Sequence, residues 1–374
     1  MAHADLIVIG AGQSGLATAA LAPCHGFART VVLEAAEQPG GAWPRYYDSL
    51  TLFSPARYSA LPGLRFPGDP DRYPARDEVV DYLRVYARQL PAEVRTSTMV
   101  TSVTRQDDGW VVLTEDGREL SAGAVIAATG DYGTPFAPDL PGRSDFAGLV
   151  LHAAHYRSPS AFAGQRVVVV GEGNSAIQIA AELGPLADTT VATRRPIGWM
   201  AQRLLGRDLH WWLKHTRLDI APISHLLVKV PVSVLDDGHY RAALDEHGVD
   251  RREMFSRFTP DGVGWADGTK EQVDAVLLAT GYRPTFPYLQ HSGALDAAGR
   301  PQHRGGLAAT GFVHECRQQL FRIPGGTPIG PKPMFTRTGG STARSVVTGQ
   351  LDRGDKQDHG EQGNEDRVRE HADQ

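Results

Sequence analysis

Leu6-Ile7-Val8-Ile9-Gly10-Ala11-Gly12-Gln13-Ser14-Gly15 opens the chain, and Val167-Val168-Val169-Val170-Gly171-Glu172-Gly173-Asn174-Ser175-Ala176 repeats its plan further on. Each stretch is an unbroken apolar run, a glycine turn and the first residues of a helix. An apolar run without alternation reads as a strand covered on both faces. In such a turn the first glycine makes the tight bend, the second lets the backbone approach a pyrophosphate, and the third position lets helix close onto strand. The helix N-terminus adds orphan N–H groups and a positive dipole end. Ala176 stands for the third glycine of the second turn, a replacement the pattern allows. One glycine turn is weak evidence; two in matching frames, each between strand and helix, are specific.

The echo continues. Ala124-Val125-Ile126-Ala127-Ala128 is followed by Thr129-Gly130, and Ala275-Val276-Leu277-Leu278-Ala279 by Thr280-Gly281. The repeat predicts an α/β fold with two Rossmann-like dinucleotide-binding domains, the second inserted in the first.

The end of the second strand of each unit tells which nucleotide binds. Thr30-Val31-Val32-Leu33 runs into Glu34, a carboxylate that accepts hydrogen bonds from the ribose hydroxyls of FAD or NAD and repels a 2'-phosphate. Thr189-Thr190-Val191-Ala192-Thr193 runs into Arg194-Arg195, whose guanidinium groups pair bidentately with phosphate, so NADPH is expected over NADH.

Bulk properties exclude other classes. With 374 residues, 41% hydrophobic and 22% charged, the chain is long enough for two domains of ordinary globular composition. A net charge of -5 without a basic stripe argues against nucleic acid. Cys24 and Cys316 are too few and too distant for a disulfide framework, a zinc cluster or a redox CxxC pair, so no metal is expected and a reducing, cytoplasmic setting fits. The N-terminal stretch lacks a basic region and carries Asp5, and no apolar run approaches the roughly 18 to 20 residues of a membrane span.

The expected division is a discontinuous FAD-binding domain, 1–157 and 272–310, around an NADPH-binding domain, 158–271, with proline-rich linkers at Thr134 to Pro141 and Ser158 to Ser160. Residues 196–261, with Trp199, Trp211 and Trp212, are too long for a simple connection and read either as a lid facing substrate or as an ordinary packing segment.

Further motifs carry a resemblance. Gly40-Gly41-Ala42-Trp43 follows Glu34; then come Leu52-Phe53-Ser54-Pro55, Leu61-Pro62-Gly63, Phe66-Pro67 and Tyr73-Pro74-Ala75-Arg76. Phe146-x-Gly148-x-x-x-His152-x-x-x-Tyr156 precedes the second glycine turn, and Ala279-Thr280-Gly281-Tyr282-Arg283-Pro284 follows it. Over roughly residues 4 to 306 the chain resembles the flavin-containing monooxygenases, the class B flavoprotein monooxygenases that include Baeyer-Villiger enzymes and plant YUCCA proteins. The tyrosine that ends the signature is similar to members acting on nitrogen and sulfur.

The resemblance implies FAD against Gly10, Gly12, Gln13, Ser14, Gly15, Glu34, Gly41, Trp43, Val100, Thr129 and Gly130. It implies NADPH against Gly171, Gly173, Asn174, Ser175, Arg194, Arg195, Thr280 and Gly281. Ser54, near the place where many members carry an asparagine, and Asn174 are the implied catalytic candidates, and Phe146, Gly148, His152 and Tyr156 serve either the domain hinge or the reaction. The chemistry implied is hydride passing from NADPH to FAD, oxygen adding to the reduced flavin as a C4a-hydroperoxide shielded by NADP+, and oxygen transfer to a soft nucleophile such as a sulfide or amine. Small-molecule substrate and O2 are the expected partners, with oligomeric state open and a homodimer one option. An NADPH oxidase, a Baeyer-Villiger enzyme and a non-catalytic nucleotide-binding protein are the alternatives. Past Gly306 the resemblance stops; residues 311–374 are expected to be an atypical tail, too polar to order itself, that lacks the family's last strand and lowers FAD affinity.

Overall fold

A computed structural model describes residues 3–107, 109–216, 233–304, 307–308 and 313–314. The first sheet places Glu93–Arg95, Thr30–Leu33, His3–Ile9 and Glu119–Ala127 side by side in parallel. An antiparallel pair, Val100–Gln106 and Gly109–Thr114, is hydrogen-bonded to the first half of Glu119–Ala127. The unbroken apolar run at Leu6 to Ile9 has the expected cause. Leu6 and Val8 pack under the helices Gln13–Leu21 and Arg76–Arg88, whereas Ile7 and Ile9 pack against Val103, Trp110, Val112 and Leu289 on the other face.

The second sheet runs Asp250–Glu253, Asp188–Thr193, Arg166–Val170, Ala275–Leu278, Leu149–His152, parallel throughout. Val167 and Val169 face the helix Asn174–Leu183, and Val168 and Val170 face Phe255, Val263 and Trp265. All five strands lie in sequence between Glu119–Ala127 and the last elements of the first sheet, so the second unit is inserted in the first.

Sheet membership falls differently from the division expected at 157/158 and 271/272: Leu149–His152 and Ala275–Leu278 both belong to the second sheet. Leu149–His152 lies inside the Phe146–Tyr156 signature and forms a strand there. Likewise, within 196–261 the described elements join the second unit: His239–Glu246 packs on the helix Asn174–Leu183, Val234 of Ser233–Asp236 enters the same core, and Asp250–Glu253 is an edge strand. That strand reads Asp-Arg-Arg-Glu, with none of the apolar pattern that marks a covered strand.

At the far end of the described chain Val313–His314 pairs in parallel with Ile126 and Ala127. The strand expected to be missing after Gly306 is thus supplied by a two-residue segment of the presumed tail; the remainder of 311–374 lies outside the described residues. The first linker also has structure. Thr134–Pro135 pairs antiparallel with Tyr282–Arg283, tying the two crossings between the units. Among the described residues, no helix is long and apolar enough to cross a membrane.

A fork of Arg166 on Asp274 fastens the entry of two neighbouring strands: Nη2 reaches Oδ1 at 2.7 Å, while Nε and the backbone N reach Oδ2 at 3.0 and 2.8 Å. These bonds push the Asp274 carboxyl down to about 2. A depressed carboxyl contributes stability above its unfolded value and loses it as pH falls through the folded value. Between pH 4 and pH 2 Asp274→Asn is therefore expected to lose less urea resistance than the parent, read as the change in unfolding midpoint with pH.

Candidate functional site: two nucleotide crevices and their hinge

In the first crevice Gly10 takes φ +105°, and its N–H reaches Leu33 O at 2.7 Å. A Cβ at Gly15 would lie 1.9 Å from Gly10 O, the close approach of helix to strand that the third glycine permits. Gly12 is the N-cap of Gln13–Leu21 and no side chain caps it, so the first N–H groups of the helix stay bare for an anion. Glu34, 7% exposed, reaches into this turn: Oε2 accepts from Ala11 N at 2.6 Å and Oε1 from Ala36 N at 2.9 Å. A carboxylate has lone pairs left for ribose hydroxyls after those two bonds.

The Gly40–Trp43 segment lies directly over the turn. Gly40 N donates to Ala11 O, the Gly41 and Gly12 backbones are so close that a Cβ at Gly41 would come within 2.9 Å of Gly12 Cα, and Trp43 Nε1 donates to Gln13 Oε1 at 3.1 Å. Ser14 is buried in the helix, and Val100 begins a strand beside the chain that leaves Glu34, whose carbonyl accepts Thr98 N at 2.8 Å. Thr129 Oγ1 lies 3.0 Å from Tyr288 OH, and Gly130, at φ +79°, borders open space.

The second crevice repeats these parts. Gly171, φ +150°, donates to Ala192 O at 3.0 Å, and Gly173 caps Asn174–Leu183 without a side-chain acceptor. Ala176 is accommodated here. After Ala192 come Thr193 and then Arg194 and Arg195, both exposed and without a hydrogen-bond or ion-pair partner among the described residues. Glu172 Oε2 is buried with no partner among them, an acceptor that suits a nucleotide hydroxyl or carboxamide rather than a phosphate. Asn174, buried, accepts Leu235 N at 3.0 Å on Oδ1, and Ser175 is exposed. Gly281, at φ +81°, borders open space as Gly130 does, and Thr280 Oγ1 donates to Phe136 O. Two glycine cradles with uncapped helix ends, one closed by a carboxylate and the other flanked by free guanidinium groups, fit two different dinucleotides.

The signature residues lie along the second sheet: Phe146 and Tyr156 enter the cores on its two faces, and His152 ends the strand Leu149–His152. His152 Nδ1 accepts Ala154 N at 3.0 Å, which leaves the proton on Nε2 to donate to Gly281 O at 3.0 Å. Burial lowers its pKa, keeping the ring neutral. Tyr156 is fully buried and its OH reaches Glu182 Oε2 at 3.1 Å; Phe146 packs on Phe258, and Gly148 leaves room for the Phe146 ring and Asp274 O.

Ser54 is buried with its Oγ 2.8 Å from Ser59 Oγ. Thr51 bridges Ala75 beside it, and Arg76 Nη1 donates to Tyr46 O and Asp48 Oδ1, both at 2.6 Å. One feature escaped sequence reading. Gln202, Asp208 and His210, from the portion 198–216, converge with Tyr73 next to Phe53. Although burial works against it, hydrogen bonds from His210, Tyr73 and Gln202 hold the Asp208 carboxyl below the ordinary value; burial and that carboxylate push Tyr73 up to about 12. No local pattern flags a cluster that joins residues 202–210 to Tyr73, 135 positions before Asp208.

Residues 7–214 match the family described as pyridine nucleotide-disulphide oxidoreductase. A flavin-containing monooxygenase from Stenotrophomonas maltophilia is 35% identical and superimposes with a TM-score of 0.71, covering 84% of this chain and 89% of that one. The rice protein named indole-3-pyruvate monooxygenase YUCCA1 is 30% identical over 77% of this chain and 79% of its own, and a CzcO-like oxidoreductase of Geobacillus kaustophilus is 29% identical over 82% and 88%. The chain belongs to the pyridine nucleotide-disulphide oxidoreductase family and is a flavin-dependent monooxygenase of the two-Rossmann type, with FAD and NADPH as its cofactor pair.

Proposed function

We propose that the protein oxygenates a soft nucleophile, a sulfide or an amine, at the expense of NADPH and O2, with FAD in the first crevice and NADPH in the second, and that it works in the cytoplasm. The observation that carries the assignment is the reversal of charge between look-alike crevices: a buried Glu34 bound into the first turn, and Arg194 and Arg195 exposed at the second and without a partner among the described residues. When bound, NADPH supplies the hydride and FAD the site at which oxygen is activated.

The chain's own groups bind, orient and exclude. Glu34 receives the ribose hydroxyls, and the bare N–H groups behind Gly12 and Gly173 receive the pyrophosphates. Arg194 and Arg195 grip the 2'-phosphate. His152, by holding Gly281 O, fixes the second crevice to the joint, so that both nucleotides meet at a set spacing. Trp43, bonded to Gln13, covers the first turn and keeps water from it. Ser54 and Asn174 have their side chains committed to Ser59 and Leu235, which supports positioning roles for both. A reductase that relays electrons through a dithiol needs a CxxC pair, and the sequence has none.

Oxygen and NADPH consumption with methyl phenyl sulfide, a tertiary amine and cyclohexanone tests the reading. Sulfoxide or N-oxide formed about one-to-one with NADPH consumed is expected; peroxide at the same rate with every compound, or lactone alone, overturns it.

A further inference from the structure

We infer that Asp208 is the positioning residue of a polar latch that closes the portion 198–216 onto the flavin-side segment Phe53–Tyr73; this rests on the placement of FAD in the first crevice. Its two oxygens take four hydrogen bonds. Oδ1 accepts the backbone N and the Nδ1 of His210, both at 2.8 Å, and Oδ2 accepts Tyr73 OH at 2.6 Å and Gln202 Nε2 at 2.9 Å. The same Gln202 nitrogen donates to Phe53 O at 2.7 Å, so a single unbroken chain runs from the insertion to the residue before Ser54. Above it the His210 ring stacks on Tyr58, centroids 6.3 Å apart, and Lys214 Nζ lies 5.7 Å from the same ring.

The arrangement has the properties of a latch. The bond from His210 N also caps the start of the helix Leu209–Thr216, so one carboxylate begins that helix and docks it. Asp208 and His210 side chains are 10% and 2% exposed, and no lysine or arginine among the described residues forms a salt bridge to this carboxylate; Arg203, bonded to Tyr73, lies near enough to feel its charge, but the contacts on the carboxylate itself are hydrogen-bond donors. Such a site is most stable when every donor is aligned, since losing one leaves part of a buried carboxylate without a partner. Tyr73 and Phe53 come from the flavin side, whereas Gln202, Asp208 and His210 come from the second unit's insertion. Docking therefore opens or closes as a whole. In the closed state the Phe53 carbonyl is held and Ser54 with it, and the insertion lies over the segment that borders the flavin.

The test uses the full FAD-loaded protein with Tyr73→Phe, which removes one bridging hydroxyl, and Asp208→Asn, which sets an amide N–H against a donor. Amide hydrogen exchange in 53–59 and 198–216 is expected to rise about tenfold in both variants while 6–9 is unchanged. With methyl phenyl sulfide present, peroxide released per NADPH consumed rises about threefold or more, and KM for the sulfide rises while NADPH oxidation at saturation changes less than about twofold. Exchange equal to the parent in both variants overturns the latch, and raised exchange with an unchanged peroxide fraction overturns its role in closing the site. Should Asp208→Asn not fold, Tyr73→Phe alone decides. Raised exchange in a protein that oxygenates no sulfide upholds the latch and overturns the substrate class instead.

Discussion

Gly15→Ala is expected to yield a protein that no longer purifies with one FAD per chain and unfolds at lower denaturant. An added Cβ would stand 1.9 Å from Gly10 O, 3.0 Å from Gly10 C and 3.3 Å from Val8 Cγ1, against the ordinary 3.5 to 4 Å or so for such contacts. The contacts are backbone atoms and a β-branched side chain buried in the first core, so the helix Gln13–Leu21 must lift as a whole. Overpacking of this kind costs about 1–3 kcal/mol or more, and the displacement spreads the cradle that Gly12 and Glu34 close. Gly26→Ala is the control. Gly26 also has positive φ, +84°, but a Cβ there meets nothing within 4 Å, so it incurs only the left-handed backbone penalty of about 1–2 kcal/mol and keeps FAD. Flavin absorbance per chain and the urea midpoint of both variants check the contrast; full flavin content in Gly15→Ala refutes it.

Replacing Arg194 and Arg195 together by alanine is expected to raise KM for NADPH about a hundredfold and leave KM for NADH nearly unchanged. A hydrogen bond to a charged group is worth about 1.5–3 kcal/mol; both arginines are exposed, so the lower end applies, about tenfold for each. Neither has a competing partner among the described residues, so removal leaves nothing unsatisfied behind. Because the attraction is screened, the parent's preference for NADPH shrinks as salt is raised toward about 1 M. A parent that uses NADH and NADPH equally well sinks both this prediction and the assignment of the second crevice.

The portions legible in the sequence were those whose physics is local. Valine and isoleucine runs ending in glycine turns announce strands covered on both faces, and Leu6 to Ile9 and Val167 to Val170 lie between two layers of core, as expected. Glu34 reaches the first turn because it directly follows Leu33, the residue whose carbonyl holds Gly10. The register at the second turn differs: Thr193, not Arg194, follows the residue that holds Gly171, which carries the arginines to the rim instead of into the turn. Two further strands carry no apolar run that marks them. Asp250–Glu253 pairs as an edge strand despite its charges, because its neighbour Asp188–Thr193 supplies the ladder and no second layer needs covering. Val313–His314 is too short to announce itself and is recruited by the open edge of Glu119–Ala127.

By itself the sequence determined that there are two dinucleotide units, where each turn lies and which charge each presents, since a strand, a turn and a helix within some twenty consecutive residues are fixed by periodicity, glycine conformation and local hydrogen bonding. Only the tertiary structure decided that the strand Leu149–His152 joins the second sheet, that His152 grips Gly281, and that Asp208 gathers Tyr73, Gln202 and His210 beside Phe53. Those choices depend on partners more than a hundred residues apart, such as the 135 between Tyr73 and Asp208. A polar side chain carries no mark of its distant partner; the satisfaction of buried donors and acceptors selects it when the two units close on one another.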